Sequence, residues 1–258
     1  VKALAGHVDW FGVANLNEAR EIAPHAGDVP VFLLNAMVPA EHAAIAREGF
    51  IPIVSSFEEA AAFAAAGAGG KVCAHLAIDT GMGRLGVWEV DALRTAQRIA
   101  ALPGIEITGI ASHLPVADED APFTREQLAR FHALVEKTRT AGLRNAIAHI
   151  ENSAGVIAFP GFAETLVRPG LALYGESPLP EFQPRLRRAE CDVGDSNDFA
   201  LAVDHRVHGN RLAVFLARAL GLAEIEAAGE LADADDVDAV GNALGLERRG
   251  VRSEEHTS

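Results

Sequence analysis

Between His149 and Gly175 the chain reads HIENSAGVIAFPGFAETLVRPGLALYG. Two apolar runs in this region, Ala146–Ile150 and Leu171–Tyr174, read as strands of a buried sheet, and each has polar residues at one end. Asn152 and Ser153 follow the first run, while Arg168, Pro169 and Gly170 precede the second. An amide, a hydroxyl, backbone N–H groups and one guanidinium, supplied by neighbouring strands, can form a cradle for a phosphate or another anion. The same residue types are common in turns, so on their own they leave both readings open.

Positioning such a cradle requires a regular frame. Short β-branched runs alternate with amphipathic segments, the pattern of a parallel sheet with crossover helices. The strands are expected at Trp10–Ala14, Val31–Leu34, Ile51–Val54, Val72–Ile78, Ile105–Ala111, Ala146–Ile150 and Leu171–Tyr174. Helix starts are marked by cap-plus-three pairs, Asn15 with Glu18, Ser56 with Glu59 and Thr124 with Gln127. Gly27, Gly49, Gly67 and Gly142 mark helix ends, and Pro39 suits a first helical turn. Leu128, Phe131, Val135 and Thr138 keep helical spacing, which predicts a helix over Thr124–Ala141. This gives about seven βα units. Val1–Gly6 reads as the last turn of a helix closed by glycine, so the fold class is α/β, a (β/α)8 barrel of the TIM type incomplete at its N-terminus. An open doubly wound sheet is the alternative, but no glycine-rich dinucleotide fingerprint follows the first strand.

In a barrel the chemistry belongs at the C-terminal strand ends. Those ends carry Asn15, Asn35, Ser55, the loop Asp79–Arg84, Ser112 with His113, Asn152 with Ser153, and the segment around Arg168. Several of these are caps or turns, and the recurrence at one mouth is the stronger signal.

Composition narrows the partners. A net charge of −14 argues against nucleic acid and against an anionic membrane surface. Residues 189–258 hold 15 acids against 6 bases, so the acidity is concentrated there. A hydrophobic fraction of 49% supports a sizeable core. Cys73 and Cys191 form no disulfide framework, which fits a reducing compartment, and no apolar run reaches membrane-spanning length. The expected location is the cytoplasm. No metal ligand set is read.

Four blocks carry a specific resemblance. IDTGMGRLGV (Ile78–Val87), SHLPVADED (Ser112–Asp120), HIENSAG (His149–Gly155) and VRPGLALYG (Val167–Gly175) stand in the order and spacing of alanine racemases, and the likeness runs over residues 1–188. The resemblance implies an N-terminal barrel that binds pyridoxal 5′-phosphate, a homodimer, and isomerase chemistry. The reaction interconverts L-alanine and D-alanine, the latter for cell-wall peptidoglycan. It places Arg168 at the pyridine nitrogen, where a guanidinium that keeps its proton weakens the electron sink and suits racemisation over transamination. It assigns phosphate contacts to Ser153, Gly170 and Leu171, the last two through backbone N–H groups, and cofactor-lining positions to Asn152 and His113. Arg84 takes the role of the catalytic-site arginine that bonds the cofactor's phenolic oxygen near the substrate carboxylate. Asp79, Thr80 and Gly81 present it. Tyr174, Phe159 and Trp10 are assigned to packing.

Departures from the family pattern carry equal weight. The lysine that steadies the arginine in many relatives is replaced by Ala77. The Schiff-base lysine of the family ends the first strand and precedes Tyr-Gly-His-Gly; Lys2 has no such sequence after it and stands close before Trp10. The second proton-moving residue is a tyrosine of the partner's C-terminal domain, whereas Tyr174 is the sole tyrosine here. This chain is therefore expected to be an inactive piece of the family barrel. A cofactor-binding barrel without racemase activity and a racemase of broader specificity are the alternatives. A basic amino-acid decarboxylase, which pairs the pyridine nitrogen with a carboxylate, fits Arg168 poorly, and a single-domain cofactor carrier leaves the Ile78–Val87 block unexplained. Residues 189–258 lack the resemblance, and a helix is expected at Leu212–Leu222. A frame shift, a chimeric join or an unrelated extension would each give such a tail, and its end, Arg252–Ser258, reads as a translated sequencing adapter.

Overall fold

The computed structural model describes residues 1, 2, 4, 8–159, 165–174 and 177–179, together with the backbone of five short strands beyond them. Strands and helices alternate through the first two thirds of the chain: β1 (Trp10–Val13), α1 (Leu16–Ala26), β2 (Val31–Leu33), α2 (His42–Glu48), β3 (Ile51–Val54), α3 (Phe57–Ala66) and β4 (Val72–Asp79). They continue with β5 (Val87–Trp88), α4 (Ala92–Ala100), β6 (Ile105–Ala111), α5 (Ala121–Thr140), β7 (Ile147–His149), α6 (Ser153–Ala158) and β8 (Leu166–Val167). Beyond these lie β9 (Phe182–Pro184), β10 (Leu186–Arg187), β11 (Arg211–Phe215), β12 (Glu224–Ile225) and β13 (Leu246–Arg248).

The main sheet is parallel throughout and runs β7-β6-β4-β3-β2-β1-β11-β8, with β5 attached to β4. It curls back on itself. The N–H of Thr165 donates to Ala148 O at 3.0 Å and the N–H of Arg168 donates to Glu151 O at 3.0 Å, which brings the β8 segment against the β7 segment. Seven strands of this barrel come from the first 167 residues, as the alternation of the sequence predicts. The remaining slot, between β1 and β8, is taken by β11, with Trp10 opposite Ala213 and Leu166 opposite Arg211.

Strand period sorts the apolar residues into two layers. Phe11, Leu33, Val54, Leu76, Ile78 and Ile110 face the helices and pack with Phe63, Ile99, Leu128 and Phe131. Trp10, Phe32, Ile53, Ala77, Ala111, Ile147 and Leu166 form a separate cluster inside the barrel. The caps hold two of the helix starts as expected: Asn15 Oδ1 accepts from the N–H of Glu18 at 3.0 Å, and Ser56 Oγ accepts from the N–H of Glu59 at 3.0 Å. Among the described residues no helix is long and apolar enough to cross a membrane.

Three expectations are corrected. Leu171–Tyr174 is a 3-10 turn, not a strand, and the strand is Leu166–Val167. Pro169 offers no N–H to a ladder, and the N–H of Leu173 turns back to Gly170 O at 3.0 Å. Helix α5 starts at Ala121, earlier than Thr124, because Asp120 Oδ1 caps the N–H of Phe123 at 3.0 Å. Thr124 is thereby placed inside the helix, its hydroxyl donating to Asp120 O at 2.8 Å. The stretch expected as a helix at Leu212–Leu222 begins in strand β11, and 216–222 lie outside the described residues, as do Ala3, 5–7 and Cys191.

Candidate active site

Moving the last strand to Leu166–Val167 places Arg168 at its C-terminal end, on the barrel mouth. The guanidinium is buried and held through both of its Nη atoms. Nη2 donates to Ser112 O at 2.6 Å and to Ile150 O at 3.4 Å, and Nη1 donates to His149 Nδ1. Burial draws its pKa down to about 10; the nearby Glu151 carboxylate works against that shift and the Arg84 charge adds to it. Arg168 is thus a fixed cation at neutral pH. Behind it, His149 Nε2 lies 2.8 Å from His75 Nδ1, and both rings are buried inside the barrel.

Ser153 and Asn152 open the short helix α6. Asn152 Oδ1 accepts from the N–H of Gly155 at 3.0 Å and its Nδ2 donates to Leu114 O at 2.9 Å, so the amide ties two strand-end loops together. Ser153 Oγ accepts from the N–H groups of Gly170 at 2.9 Å and Ala172 at 3.2 Å. A hydroxyl that accepts twice has its own O–H left to give. The N–H of Gly170 is thus directed at Ser153 Oγ, and Leu171, the neighbouring residue, is 55% exposed.

Arg84 rides on a loop wound around one carboxylate. Asp79 accepts from the N–H of Gly81 at 2.9 Å and from that of Gly83 at 3.0 and 3.1 Å, while Gly81, Gly83 and Gly86 all have positive φ. Thr80 Oγ1 and Ser112 Oγ are 2.7 Å apart, and Gln127 Nε2 donates to Thr80 Oγ1 at 3.0 Å and to His113 O at 2.8 Å. These bonds fasten the β4 and β6 loops to α5. Arg84 is exposed, and its charge is felt at both His113 and Arg168. His113 has its pKa lowered to about 3 by burial and by Arg168 and Arg84, so its ring is neutral. Ala77 is buried in the inner apolar cluster below this mouth.

The structure thus brings Arg168, Ser153, Gly170, Leu171, Asn152, His113 and Arg84 to one end of the barrel. It adds His75, His149 and Glu151, to which sequence reading gave no role. His149 carried a signal: it shares the inward face of β7 with Ile147, and a polar residue at such a position of a buried strand needs a partner.

The sequence model for the alanine racemase N-terminal domain matches residues 1–178. The chain belongs to the alanine racemase family. An alanine racemase from Symbiobacterium thermophilum is 34% identical over 181 residues, covering 69% of this chain and 48% of the relative. One from Frankia casuarinae is 37% identical over 190 residues, covering 70% of this chain and 49% of the relative. Among solved structures, the biosynthetic alanine racemase of Pseudomonas aeruginosa superposes with a TM-score of 0.61 at 28% identity, over 70% of this chain and 53% of that one. The Clostridium difficile 630 alanine racemase in complex with cycloserine gives 0.63 at 27% identity, over 67% and 49%. The chain spans about half the length of the curated relatives it matches. The barrel of the alanine racemase family accounts for the parallel, curled sheet and for the polar mouth built on it.

Proposed function

We propose that this chain is the cofactor-holding barrel of an enzyme that interconverts L- and D-alanine, with pyridoxal 5′-phosphate at the mouth. The observation that carries the reading is Arg168, a buried cation at a strand end whose donors are aimed by His149, Ser112 and Ile150. The donor set suits the cofactor's chemistry. Ser153 gathers two N–H groups and presents its own O–H, which fits a phosphate oxygen. When bound, pyridoxal 5′-phosphate supplies the electron sink that makes the α-hydrogen of an amino acid removable.

The residues divide the work as follows. Ser153, with Gly170 and Leu171 beside it, holds the phosphate. Arg168 faces the pyridine nitrogen and, keeping its proton, leaves that nitrogen unprotonated. His113, neutral in its setting, and Asn152 line the cofactor, and Arg84 supplies positive charge toward the phenolic oxygen and a substrate carboxylate. The proton-moving lysine and tyrosine that the family pattern implies have no counterpart in Lys2 or Tyr174. Lys2 belongs to the segment before β1, and Tyr174 to the turn after β8. The chain by itself therefore binds the cofactor without turnover. A homodimer is the assembly that the family likeness supports.

Titrating the chain with pyridoxal 5′-phosphate and following its absorbance tests the reading. Saturable binding is expected, weakened roughly tenfold or more by Ser153→Ala, which removes a bond to a charged group. Absence of saturable binding overturns the cofactor assignment, and D-alanine turnover by the chain alone overturns the statement that it does not turn over.

A further inference from the structure

His75 stands midway along β4 with no exposed surface, and its ring lies among those of Trp10, Phe32 and His149, at centroid distances of 5.2, 5.8 and 5.0 Å. The neighbouring strand has given up a side chain to admit it. A Cβ at Gly109, in β6, would lie 2.5 Å from the imidazole. Only one of the two ring nitrogens has a polar partner: Nδ1 faces His149 Nε2 at 2.8 Å, whereas Nε2 is buried without a hydrogen-bond partner.

The proton positions along this line follow from the far end. A guanidinium has donors only, so Arg168 Nη1–H must donate its hydrogen bond to a bare His149 Nδ1. A neutral His149 then carries its hydrogen on Nε2 and donates it to His75 Nδ1, which must also be bare. His75 in turn carries its hydrogen on Nε2, where the aromatic rings of Trp10 and Phe32 are its surroundings. Every bond points the same way, from Arg168 into the barrel. A bare acceptor at His75 completes the arrangement, since the buried Nε2 hydrogen of His149 would otherwise have no partner.

We propose that His75 is a positioning residue: by accepting the Nε2 hydrogen of His149 it anchors the far side of that ring, reinforces the tautomer that Arg168 requires, and so holds the Arg168 guanidinium at the mouth. Its effect on the cofactor rests on the reading of Arg168 given above, whereas the relay itself does not.

The two are separated by nitrogen NMR of the full chain labelled at histidine. His149 is expected as a single Nε2–H tautomer with a scalar coupling across the bond to His75 Nδ1. A His149 protonated on Nδ1, or one without that coupling, overturns the proposal with no variant needed. His75→Phe keeps a ring of similar volume and removes the acceptor, while His75→Asn keeps an acceptor near the Nδ1 position. The Phe variant is expected to give a mixture of His149 tautomers and to bind pyridoxal 5′-phosphate about fivefold more weakly, the loss of one buried hydrogen bond, with the Asn variant restoring both. Equal tautomer and affinity in the Phe variant would sink the idea, as would an Asn variant no better than Phe. A chain that shows the coupling yet binds no pyridoxal 5′-phosphate leaves the relay standing and removes the cofactor reading alone.

Discussion

Gly86 closes the loop that carries Arg84, and its surroundings show how little freedom that loop has. Its φ is +118°, and a Cβ there would sit 2.7 Å from Asp79 N and 2.8 Å from Ile78 C. Both are backbone atoms of β4 and cannot swing aside. Gly83, in the same loop, also has positive φ (+67°), but a Cβ there would meet nothing within 4 Å. The two glycines therefore separate conformational strain from steric exclusion. Gly83→Ala is expected to cost about 1 kcal/mol, the price of a left-handed residue with a side chain. Gly86→Ala adds a backbone clash and is expected to cost about 3 kcal/mol or more. Urea unfolding of the two variants against the parent measures the difference, and equal midpoints would show that the strand moves to admit the methyl group. This loop was legible in the sequence because glycines at fixed offsets from an aspartate have few other uses. The pairing of His75 with His149 was not, since the two stand 74 positions apart and only barrel closure brings them together.

At the scale of elements, the caps and glycine stops could be read locally because each is satisfied within a few residues. The last strand could not. Leu171–Tyr174 is as apolar as a strand, and what decides against it is the proline before it and the bonds of Ser153 Oγ to Gly170 and Ala172 from another helix. The strand slot beside β1 is a further case. Strand β11 is held on both edges, by β1 and by β8, so a segment of the acidic tail occupies a place in the barrel wall. Four neighbours depend on that wall: Trp10, Phe11, Leu166 and Val167 are at most 8% exposed. Full loss of their burial is worth roughly 6–12 kcal/mol at about 1.5–3 kcal/mol each, comparable with the stability of about 5–15 kcal/mol typical of a domain. A chain ended at Arg188 is therefore expected to lose its cooperative urea transition or to show a much lower midpoint than the chain of 258 residues. Coincident curves would mean that β11 adds nothing to the wall.

For the whole molecule, the polar groups inside the barrel set how stability responds to acid. His75 has its pKa lowered to about 3, burial being the larger cause and the Arg168 charge the smaller; His149 is lowered well below its ordinary value by burial, then by Arg168 and His75. Both rings are neutral when folded and titrate near 6.5 when unfolded. The unfolded chain thus binds more protons below that pH, so their contribution is fully present above about 6.5 and is lost as the pH falls from there toward 3. His113 at the mouth, likewise lowered to about 3, adds a third, and three such groups give a slope of up to about 4 kcal/mol per pH unit. Net charge works in the opposite sense. At −14 the molecule is acidic, and mild acid relieves some of its self-repulsion, but interactions between solvated charges are screened by salt. The three histidines should dominate. Urea midpoints measured from pH 8 to pH 5 at fixed salt are expected to be flat down to about 6.5 and then to fall steeply. His75→Phe, which leaves His149 and His113, should reduce the slope by about a third. A chain equally stable at pH 7 and pH 5 would mean that these rings meet water or a counter-charge in the folded state, and the one-way line of bonds behind Arg168 would then have to be abandoned.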